Sequence, residues 1–172
     1  MSSTSTGSSI ADEKSLAGKY LTLTLGRESY GIPVLQVREI IRHTNVTAVP
    51  QMPDYVRGVL NLRGKVVPIV DLRLKFQLGR GDIAERTCIV VVQVILAAGN
   101  RTNIGLIVDG VQSVANIAAR DIEPMPDFGT PACADYILGM AKLENRVVTL
   151  LHIEKVVAAG TIELLQAKTT TD

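Results

Sequence analysis

The chain has 172 residues, which is enough for one ordinary domain or for two small lobes that share a core. Hydrophobic residues make up 47% of the chain but aromatic residues only 3%, so the core is predicted to consist mainly of Val, Ile and Leu, a composition that favours strands. The formal net charge is +1, from 18 basic and 17 acidic residues, and this balance argues against nucleic-acid binding and against charge-driven membrane binding.

The two ends of the chain lack the pattern of a folded core. Residues 1–17 are rich in Ser and Thr, with neither a basic start nor an apolar stretch, so we expect a disordered leader rather than a signal peptide. Residues 159–172 are expected to form a loose tail or a short helix, which leaves 18–158 as the domain. No apolar stretch is long enough to span a bilayer, so the sequence predicts a cytoplasmic protein without direct membrane insertion.

Strand signals dominate the first half of this domain. Five strands are predicted, at 20–25, 29–32, 37–42, 56–62 and 65–70, followed by a short helix at 72–76. Arg63 and Gly64 separate the last two strands and are typical of a tight hairpin. The segment that begins at Val34 is ambiguous on its own pattern, because Val34, Val37 and Ile41 also fit the apolar stripe of a helix.

The second half shows a similar series. Strands are predicted at 88–96, 103–108, 111–117, 137–143 and 146–151, followed by a short helix at 153–157. Asp109-Gly110 predicts a hairpin turn, since glycine readily takes a positive φ, and Glu144-Asn145 predicts another. Cys88 and Cys133 lack the spacing of a metal or redox site, so Cys88 is expected to be a small buried hydrophobic residue.

An internal repeat relates the two halves. Segment 55–72 aligns without gaps with 136–153, so that a Tyr, a Gly, a Leu, a cation and a Val-Val pair recur in register. Further upstream, Gly31 aligns with Gly105. An ungapped match of this length indicates duplication, and the repeated unit is long enough for two related β lobes rather than for a solenoid.

The repeat also resolves the ambiguous segment. Residues 37–40 align with 111–114, which follow a predicted turn and have a strand pattern, so 37–42 is predicted to be a strand. Each lobe then holds about five short strands, a number that suits a small closed barrel, because closure removes exposed sheet edges. We therefore expect an all-β fold of two five-stranded barrel lobes with short helices, lobe one at about 18–80 and lobe two at about 86–158.

No catalytic constellation is visible in the sequence. The HExxH, GxSxG, CxxC and Walker motifs do not occur, and the acidic residues lack the spacing of a calcium site. The two histidines, His43 and His152, follow predicted strands, where a surface or helix-start role is the ordinary one. These patterns favour recognition by a surface over catalysis.

Two places are candidates for such recognition. Glu39 lies among apolar residues that include Val37 and Ile40, where a charge either belongs to an exposed face or contacts a partner. Arg63 and Gly64 occupy a hairpin tip, either for turn geometry alone or to present the arginine. A guanidinium held on a rigid hairpin is a good contact group because its planar fork pairs with carboxylates and carbonyls.

Segment 58–73, Gly-Val-Leu-Asn-Leu-Arg-Gly-Lys-Val-Val-Pro-Ile-Val-Asp-Leu-Arg, closely resembles the signature of the CheW family. Tyr30-Gly31-Ile32 followed by 37–41 resembles it too, and 105–111 fits the second half of the family pattern. The resemblance runs from about Lys19 to Val157, nearly the whole predicted domain. Residues 93–103 depart from the family pattern through a longer Ala-Ala-Gly-Asn turn.

The resemblance implies two SH3-like five-stranded barrels around a shared core, and a non-catalytic adaptor without cofactor or metal. It implies that the adaptor joins the cytoplasmic tips of methyl-accepting chemoreceptors to the regulatory domain of the histidine kinase CheA, and that it is recruited to membrane-associated receptor arrays. The positions that match the partner-binding region are Val37, Glu39, Ile40, Gly58, Leu62, Arg63 and Gly64. A receptor helix is expected in an apolar groove between the lobes and the kinase at a barrel end, while the partner of each residue stays open.

Two alternatives remain at the level of sequence. An adaptor of another chemosensory pathway, such as one that controls surface motility, would have the same pattern. A small β-barrel hydrolase would need a nucleophile and a base. Replacing His43 and His152 together tests the enzyme alternative, since activity that survives this change excludes a histidine base.

Overall fold

The computed structural model describes residues 16–76, 78, 83–95, 99–124 and 136–157, and strands make up most of them. The strands are β1 (Gly18–Leu25), β2 (Glu28–Pro33), β3 (Val37–Arg42), β4 (Val56–Leu62), β5 (Lys65–Asp71), β6 (Cys88–Ile95), β7 (Arg101–Val108), β8 (Gly110–Ile117), β9 (Ile122–Glu123), β10 (Ile137–Leu143) and β11 (Arg146–Leu151). Two short helices, α1 (Leu72–Lys75) and α2 (Ile153–Val157), follow β5 and β11. One-turn 3-10 helices occur at Val34–Gln36 and Ala119–Asp121.

Each predicted strand is confirmed, with bounds that shift by no more than two residues, and β3 confirms the interpretation taken from the repeat. The sequence missed β9, which is two residues long. Of the predicted leader only residues 16 and 17 are described, and the predicted tail from 159 lies outside the described residues. Cys88 is half-buried at the edge of the core, where burial raises the pKa of its thiol, and Cys133 lies outside the described residues.

The strands form two sheets. The six-stranded sheet has the order β8-β1-β2-β11-β10-β9, and the five-stranded sheet has the order β3-β6-β7-β5-β4. Neighbouring strands are antiparallel except for two pairs, β2 with β11 and β5 with β7, which are parallel. The all-β, two-lobed fold with short helices is therefore confirmed.

The predicted lobe boundaries are wrong in one respect, because the sheets exchange strands between the two halves of the chain. The six-stranded sheet joins β1 and β2 to β8–β11, and the five-stranded sheet joins β3–β5 to β6 and β7. The 3-10 turn Val34–Gln36 carries the chain from one sheet to the other directly after β2. The repeat could not show this exchange, since β5 and β11 have equivalent sequences and either is a suitable neighbour for β2.

Backbone contacts confirm that the two halves are equivalent. Gly31 pairs with Leu150, and a Cβ at Gly31 would lie 2.9 Å from Leu150 Cδ2. The aligned glycine, Gly105, pairs with Ile69, and a Cβ there would lie 2.5 Å from Ile69 Cδ1. In each parallel pairing, a glycine from one half of the chain thus makes room for an aliphatic side chain from the other half. The two aliphatic residues, Leu150 and Ile69, occupy aligned positions in the repeat.

The lobes differ from the predicted pair of closed five-stranded barrels. One sheet has six strands, and within the described residues β3 and β4, the outer strands of the five-stranded sheet, have no direct ladder. A single bridge beyond the end of β3 nearly completes the ring. Thr47 and Val59 exchange both backbone hydrogen bonds, at 2.9 and 2.8 Å.

The core is aliphatic, as the composition predicts, and has three parts. The largest lies between the sheets and takes residues from both, among them Leu23, Ile32, Val92, Leu106 and Ile153. One smaller cluster fills the six-stranded lobe, around Tyr20 and Leu150. Another fills the five-stranded lobe, around Ile69, Ile89 and Ile107. The shared central cluster makes the two lobes one packed unit.

Asp109-Gly110 is not a hairpin turn, contrary to the sequence prediction. Strand β7 belongs to the five-stranded sheet and β8 to the six-stranded sheet, so the chain crosses between sheets at Asp109. The Asp109 carboxylate accepts hydrogen bonds from the Gly26 backbone N–H at 2.7 Å and from Arg73 Nη1 at 3.1 Å. These tertiary contacts, which local sequence does not encode, decide the direction of the chain here.

Candidate functional site

The β4–β5 hairpin presents Arg63 at its tip. Arg63 and Gly64 have φ angles of 54° and 85°, so both central residues take the left-handed conformation that fits a two-residue hairpin to the twist of its strands. The Asn61 side chain accepts the Gly64 N–H at 3.0 Å and stabilises the turn. The Arg63 side chain is 84% exposed as a result.

Strand β3 brings Glu39 to this arginine. Arg63 Nη2 donates to Glu39 Oε2 at 3.0 Å, and we call this contact the rim ion pair. An exposed pair of this kind contributes only about 0–1 kcal/mol to stability. Its main effect is geometric, because it holds a carboxylate and a guanidinium together on the surface.

Because of a register shift in β3, Val37 and Glu39, which were both predicted to bind a partner, face different surfaces. Val37 pairs with Val92, whereas Glu39 pairs with Val91, so the ladder is irregular between Val37 and Glu39. Val37 packs on the central cluster between the sheets. Glu39 lies on the side of Val91, which belongs to the cluster inside the five-stranded lobe.

The rim ion pair borders a cavity of about 230 Å³ at the open end of the five-stranded lobe. We call this end the five-stranded mouth, and its lining residues are Arg38, Glu39, Leu62, Arg63, Lys65, Val67, Val91 and Asn103. Leu62 is half-buried and packs on the cluster inside the lobe. Arg38 Nη2 donates to Gln93 Oε1 at 2.6 Å. The mouth therefore combines an apolar floor with a charged rim.

Gly58 supports the site from inside the fold. It is buried, with φ of 136°, and a Cβ there would lie 1.9 Å from the Thr47 carbonyl oxygen. The Thr47–Val59 bridge, which nearly completes the ring of the five-stranded lobe, lies next to it. Gly58 thus permits this bridge and is not itself exposed.

An apolar surface lies where the two sheets meet. Leu35, on the 3-10 turn between β2 and β3, is 91% exposed, and Val34 and Val37 on either side of it pack against the central cluster. Ile40 and Val114 are also exposed, on strands at the edges of the two sheets. Neither Leu35 nor Val114 was predicted from the sequence as a contact residue. One feature of the sequence could have identified Leu35, since this residue lies outside the apolar stripe to which Val34 and Val37 belong.

The equivalent end of the six-stranded lobe carries different chemistry. It holds a cavity of about 610 Å³ lined by Ala115, Asp121, Lys142, Leu143, Glu144, Asn145 and Arg146. In the repeat, Ser113 and Glu144 take the positions of Glu39 and Arg63, so the rim ion pair has no counterpart there. The two lobe ends are therefore not interchangeable as contact surfaces.

A buried ion-pair network, which was not predicted from the sequence, joins the two sheets. Arg73 Nε and Nη2 donate to the two Asp71 oxygens at 3.1 and 3.0 Å, and Arg73 Nη1 donates to Asp109. The Arg73 side chain is only 4% exposed. The hydrogen bond to Asp71 raises the pKa of Arg73 above its usual value. The network fixes the crossover at Asp109 against the start of α1.

The two histidines lie at the ends of strands, one in each half of the chain. His43 lies after β3, where burial and then Arg57 and Arg73 lower its pKa. His152 Nδ1 lies 3.8 Å from Glu154 Oε1 at the start of α2. The part of the chain that the structure describes holds no group of His, Cys, Asp and Glu suited to a metal ion. It also contains no helix long and apolar enough to cross a membrane.

These features define the class of the protein as a two-lobed β scaffold whose candidate site is a contact surface. Comparison with known proteins then identifies the family. The model of the CheW-like domain matches residues 19–160, and the chain therefore belongs to the CheW-like family.

Individual relatives agree with this assignment. The chain is 37% identical over 165 residues to the chemotaxis protein CheW of Klebsiella aerogenes, which covers 96% of each chain. It is 33% identical over 138 residues to the protein of that name from Helicobacter pylori, covering 80% of each. Among solved structures, the scaffolding protein TtCheW from Thermoanaerobacter tengcongensis aligns with a TM-score of 0.74 and 27% identity, over 85% of this chain and 91% of that one.

Proposed function

We propose that this chain is a non-catalytic adaptor that links the cytoplasmic tips of chemoreceptors to the regulatory domain of the histidine kinase CheA, so that receptors control kinase activity. Membership of a family of chemotaxis scaffold proteins supports this role. The adaptor acts in the cytoplasm and is recruited to membrane-associated receptor arrays through these contacts.

The observation that carries the proposal is that β3 presents neighbouring side chains to two different surfaces. Glu39 lies on the face of Val91, toward the five-stranded mouth. Ile40, the next residue, pairs with Val90 and points to the opposite face, where it is exposed. One short strand thus contributes to two surfaces, as a protein that bridges two partners requires.

The apolar surface around Leu35 suits a helical partner. A helix presents its apolar residues as a stripe, and exposed aliphatic side chains at the junction of two lobes can receive such a stripe. Leu35, Ile40 and Val114 are large apolar side chains left exposed by the fold. We assign the receptor tip to this surface.

The five-stranded mouth suits a folded partner. Its rim carries the charges of the half-buried Glu39 and the exposed Arg63, and its floor carries Leu62 and Val67. Charges at the rim of an interface set specificity and association rate, while the desolvated apolar centre contributes more of the affinity. We assign the regulatory domain of the kinase to this mouth.

Titration calorimetry against the regulatory domain of the CheA kinase from the same organism tests the kinase contact. We expect saturable binding by the wild type and clearly weaker binding by Arg63→Ala. The matched control is Arg27→Ala, which removes an exposed arginine from the tip of the β1–β2 hairpin on the other sheet. Equal binding by Arg63→Ala and the wild type would refute the assignment of the mouth, and a wild type that does not bind would refute the adaptor role for this kinase.

A second experiment tests the receptor contact. Leu35→Ser is expected to reduce co-sedimentation with vesicles that contain a receptor from the same organism, because it removes the most exposed apolar side chain at the junction of the sheets. Ile95→Ser, at an exposed aliphatic residue on β6, is the control and should bind as the wild type does. If both variants lose binding equally, the apolar surface around Leu35 is not the receptor site.

A further inference from the structure

The turn that presents Leu35 has few contacts of its own. The 3-10 helix Val34–Gln36 has three residues, and the Val37 N–H closes it by donating to the Val34 carbonyl oxygen. A 3-10 turn of this length has poorer hydrogen-bond geometry than an α-helix, so its neighbours decide how firmly it is held. The direction in which the exposed Leu35 side chain projects therefore depends on what the rest of the turn contacts.

Gln36 is held by a residue from the far end of the described chain. Its Nε2 donates to Glu154 Oε2 at 2.7 Å, although the two residues are 118 positions apart. A hydrogen bond to a carboxylate is stronger than one between neutral groups, and both residues here are half-buried. The other carboxylate oxygen, Glu154 Oε1, lies 3.8 Å from His152 Nδ1. We call the contact between Gln36 and Glu154 the turn strap.

The helix that carries Glu154 is itself anchored in the core. Three of the five residues of α2 are buried in the central cluster between the sheets, namely Ile153, Val156 and Val157. Directly before the helix, the His152 N–H donates to the Tyr136 carbonyl oxygen at 2.8 Å. The backbone that carries the Glu154 carboxylate is thus fixed relative to the core, so this carboxylate can fix Gln36.

The equivalent place in the other half of the chain is also tied down. In the repeat, Glu154 aligns with Arg73, and Leu35 aligns with Asp109. Arg73 donates to Asp109 at 3.1 Å and so fixes the crossover from β7 to β8. The second residue of each short helix therefore holds a crossover between the sheets. At the crossover from β2 to β3 the residue held is Gln36, the neighbour of the exposed Leu35.

We propose that Glu154 is a positioning residue for the receptor contact, because through Gln36 it holds the turn so that Leu35 projects in one orientation. The inference deepens the proposed function and rests on it, since the receptor tip is the partner assigned to the surface around Leu35. A side chain that is already fixed in its bound orientation loses less conformational freedom on binding, and this raises the affinity. Neither residue of the turn strap lines the five-stranded mouth, so the kinase contact does not depend on it.

Co-sedimentation with receptor-containing vesicles, together with calorimetry against the regulatory domain of the kinase, tests this inference. Glu154→Ala removes the turn strap and should lower the affinity for the receptor about fivefold, as expected for the loss of one hydrogen bond. Its affinity for the regulatory domain should stay at the wild-type value. Glu154→Gln keeps an acceptor oxygen for Gln36 and should restore most of the receptor affinity.

The matched control is Glu123→Ala. It also removes a carboxylate with a close partner, the Lys142 ammonium at 2.6 Å, but this ion pair lies in the six-stranded lobe between β9 and β10. We expect this variant to bind the receptor as the wild type does. A loss as large as that of Glu154→Ala would show that the effect is not specific to the turn strap and would overturn the inference.

A double-mutant cycle shows whether Glu154 acts through Gln36. Gln36→Ala should weaken receptor binding as much as Glu154→Ala does. The double variant should bind no more weakly than either single variant, because the same hydrogen bond is lost in all three. Losses that add in the double variant would mean that the two residues act separately, which overturns the inference.

The two binding assays separate this inference from the proposed function. Wild-type receptor affinity of Glu154→Ala, when the wild type binds and Leu35→Ser binds less, overturns the inference and leaves the proposed function standing. An equal loss of affinity for the receptor and for the regulatory domain also overturns it, since the effect on the fold is then general. The same holds if Glu154→Gln binds as weakly as Glu154→Ala. A wild type that does not bind the receptor overturns the proposed receptor contact and this inference together.

Discussion

Gly58→Ala tests whether the backbone bridge between Thr47 and Val59 depends on a glycine at this position. The added Cβ would lie 1.9 Å from the Thr47 carbonyl oxygen, so the Thr47–Val59 bridge must open or the strands must move apart. Alanine would also have to take φ of 136°, a conformation that L residues rarely adopt. Because these two effects come from one methyl group, their sizes can be separated only with a control that shares the backbone angle.

The magnitude follows from the two effects. Strain from the φ angle costs about 1–3 kcal/mol. Loss of the two bridging hydrogen bonds adds roughly 0.5–1.5 kcal/mol each. Gly58→Ala should therefore lower the free energy of unfolding by about 2–6 kcal/mol, a large share of the roughly 5–15 kcal/mol of an ordinary domain.

Gly18→Ala is the matched control for this experiment. Gly18 has a similar φ of 148°, but a Cβ there meets no atom within 4 Å. Urea denaturation of both variants should give a loss that is larger for Gly58→Ala by about 1–3 kcal/mol, which is the contribution of the two hydrogen bonds. Equal losses in the two variants would refute the reasoning, because the clash with Thr47 would then have no cost.

Three further predictions follow from charged groups. Arg73→Met leaves the buried carboxylate of Asp71 uncompensated and should cost about 3–5 kcal/mol by urea denaturation, and a cost below 1 kcal/mol would contradict the importance of the network. Glu39→Gln removes the rim ion pair and should change the free energy of unfolding by less than about 1 kcal/mol, since Arg63 is exposed, so a large loss would show that the pair is structural. The lowered pKa of His43 means that the unfolded state binds its proton more readily, so stability is lost as pH falls through 6.5, the usual histidine value. His43→Gln should flatten this pH dependence of the melting temperature, and a pH dependence as steep as that of the wild type would contradict this prediction.

Strand β3 shows which part of the site could be predicted from the sequence and which part could not. The repeat identified it as a strand, against the helical stripe formed by Val34, Val37 and Ile41, and the structure confirms it. The register shift between Val37 and Glu39 was not visible, because a bulge depends on how the partner strand is paired. The seven expected partner-binding residues therefore divide between the mouth, the junction of the sheets and the interior, and their contacts with partners remain predictions.

Contacts between residues that are far apart in the chain could not be predicted from the sequence, for a related reason. Glu39 and Arg63 are 24 residues apart, and nothing in either local pattern states that β3 and the β4–β5 hairpin meet at one end of a lobe. The Arg73 network was equally hidden, since Asp71 and Arg73 look like an ordinary helix start. Its third member, Asp109, looked like a turn residue because Asp-Gly pairs are common in hairpins.

The strands, their alternation, the aliphatic core, the duplication and the family resemblance could all be predicted from the sequence, because each of these depends on local pattern or on similarity along the chain. The order of the strands in each sheet could not be predicted in this way, because it depends on contacts between distant parts of the chain. In a duplicated chain β2 has two equivalent neighbours, β5 of its own half and β11 of the other, and the same glycine contact serves either pairing. The choice between them rests on how the connections after β2 and β7 pack across the shared core, where burial of apolar side chains from both halves stabilises the exchanged arrangement.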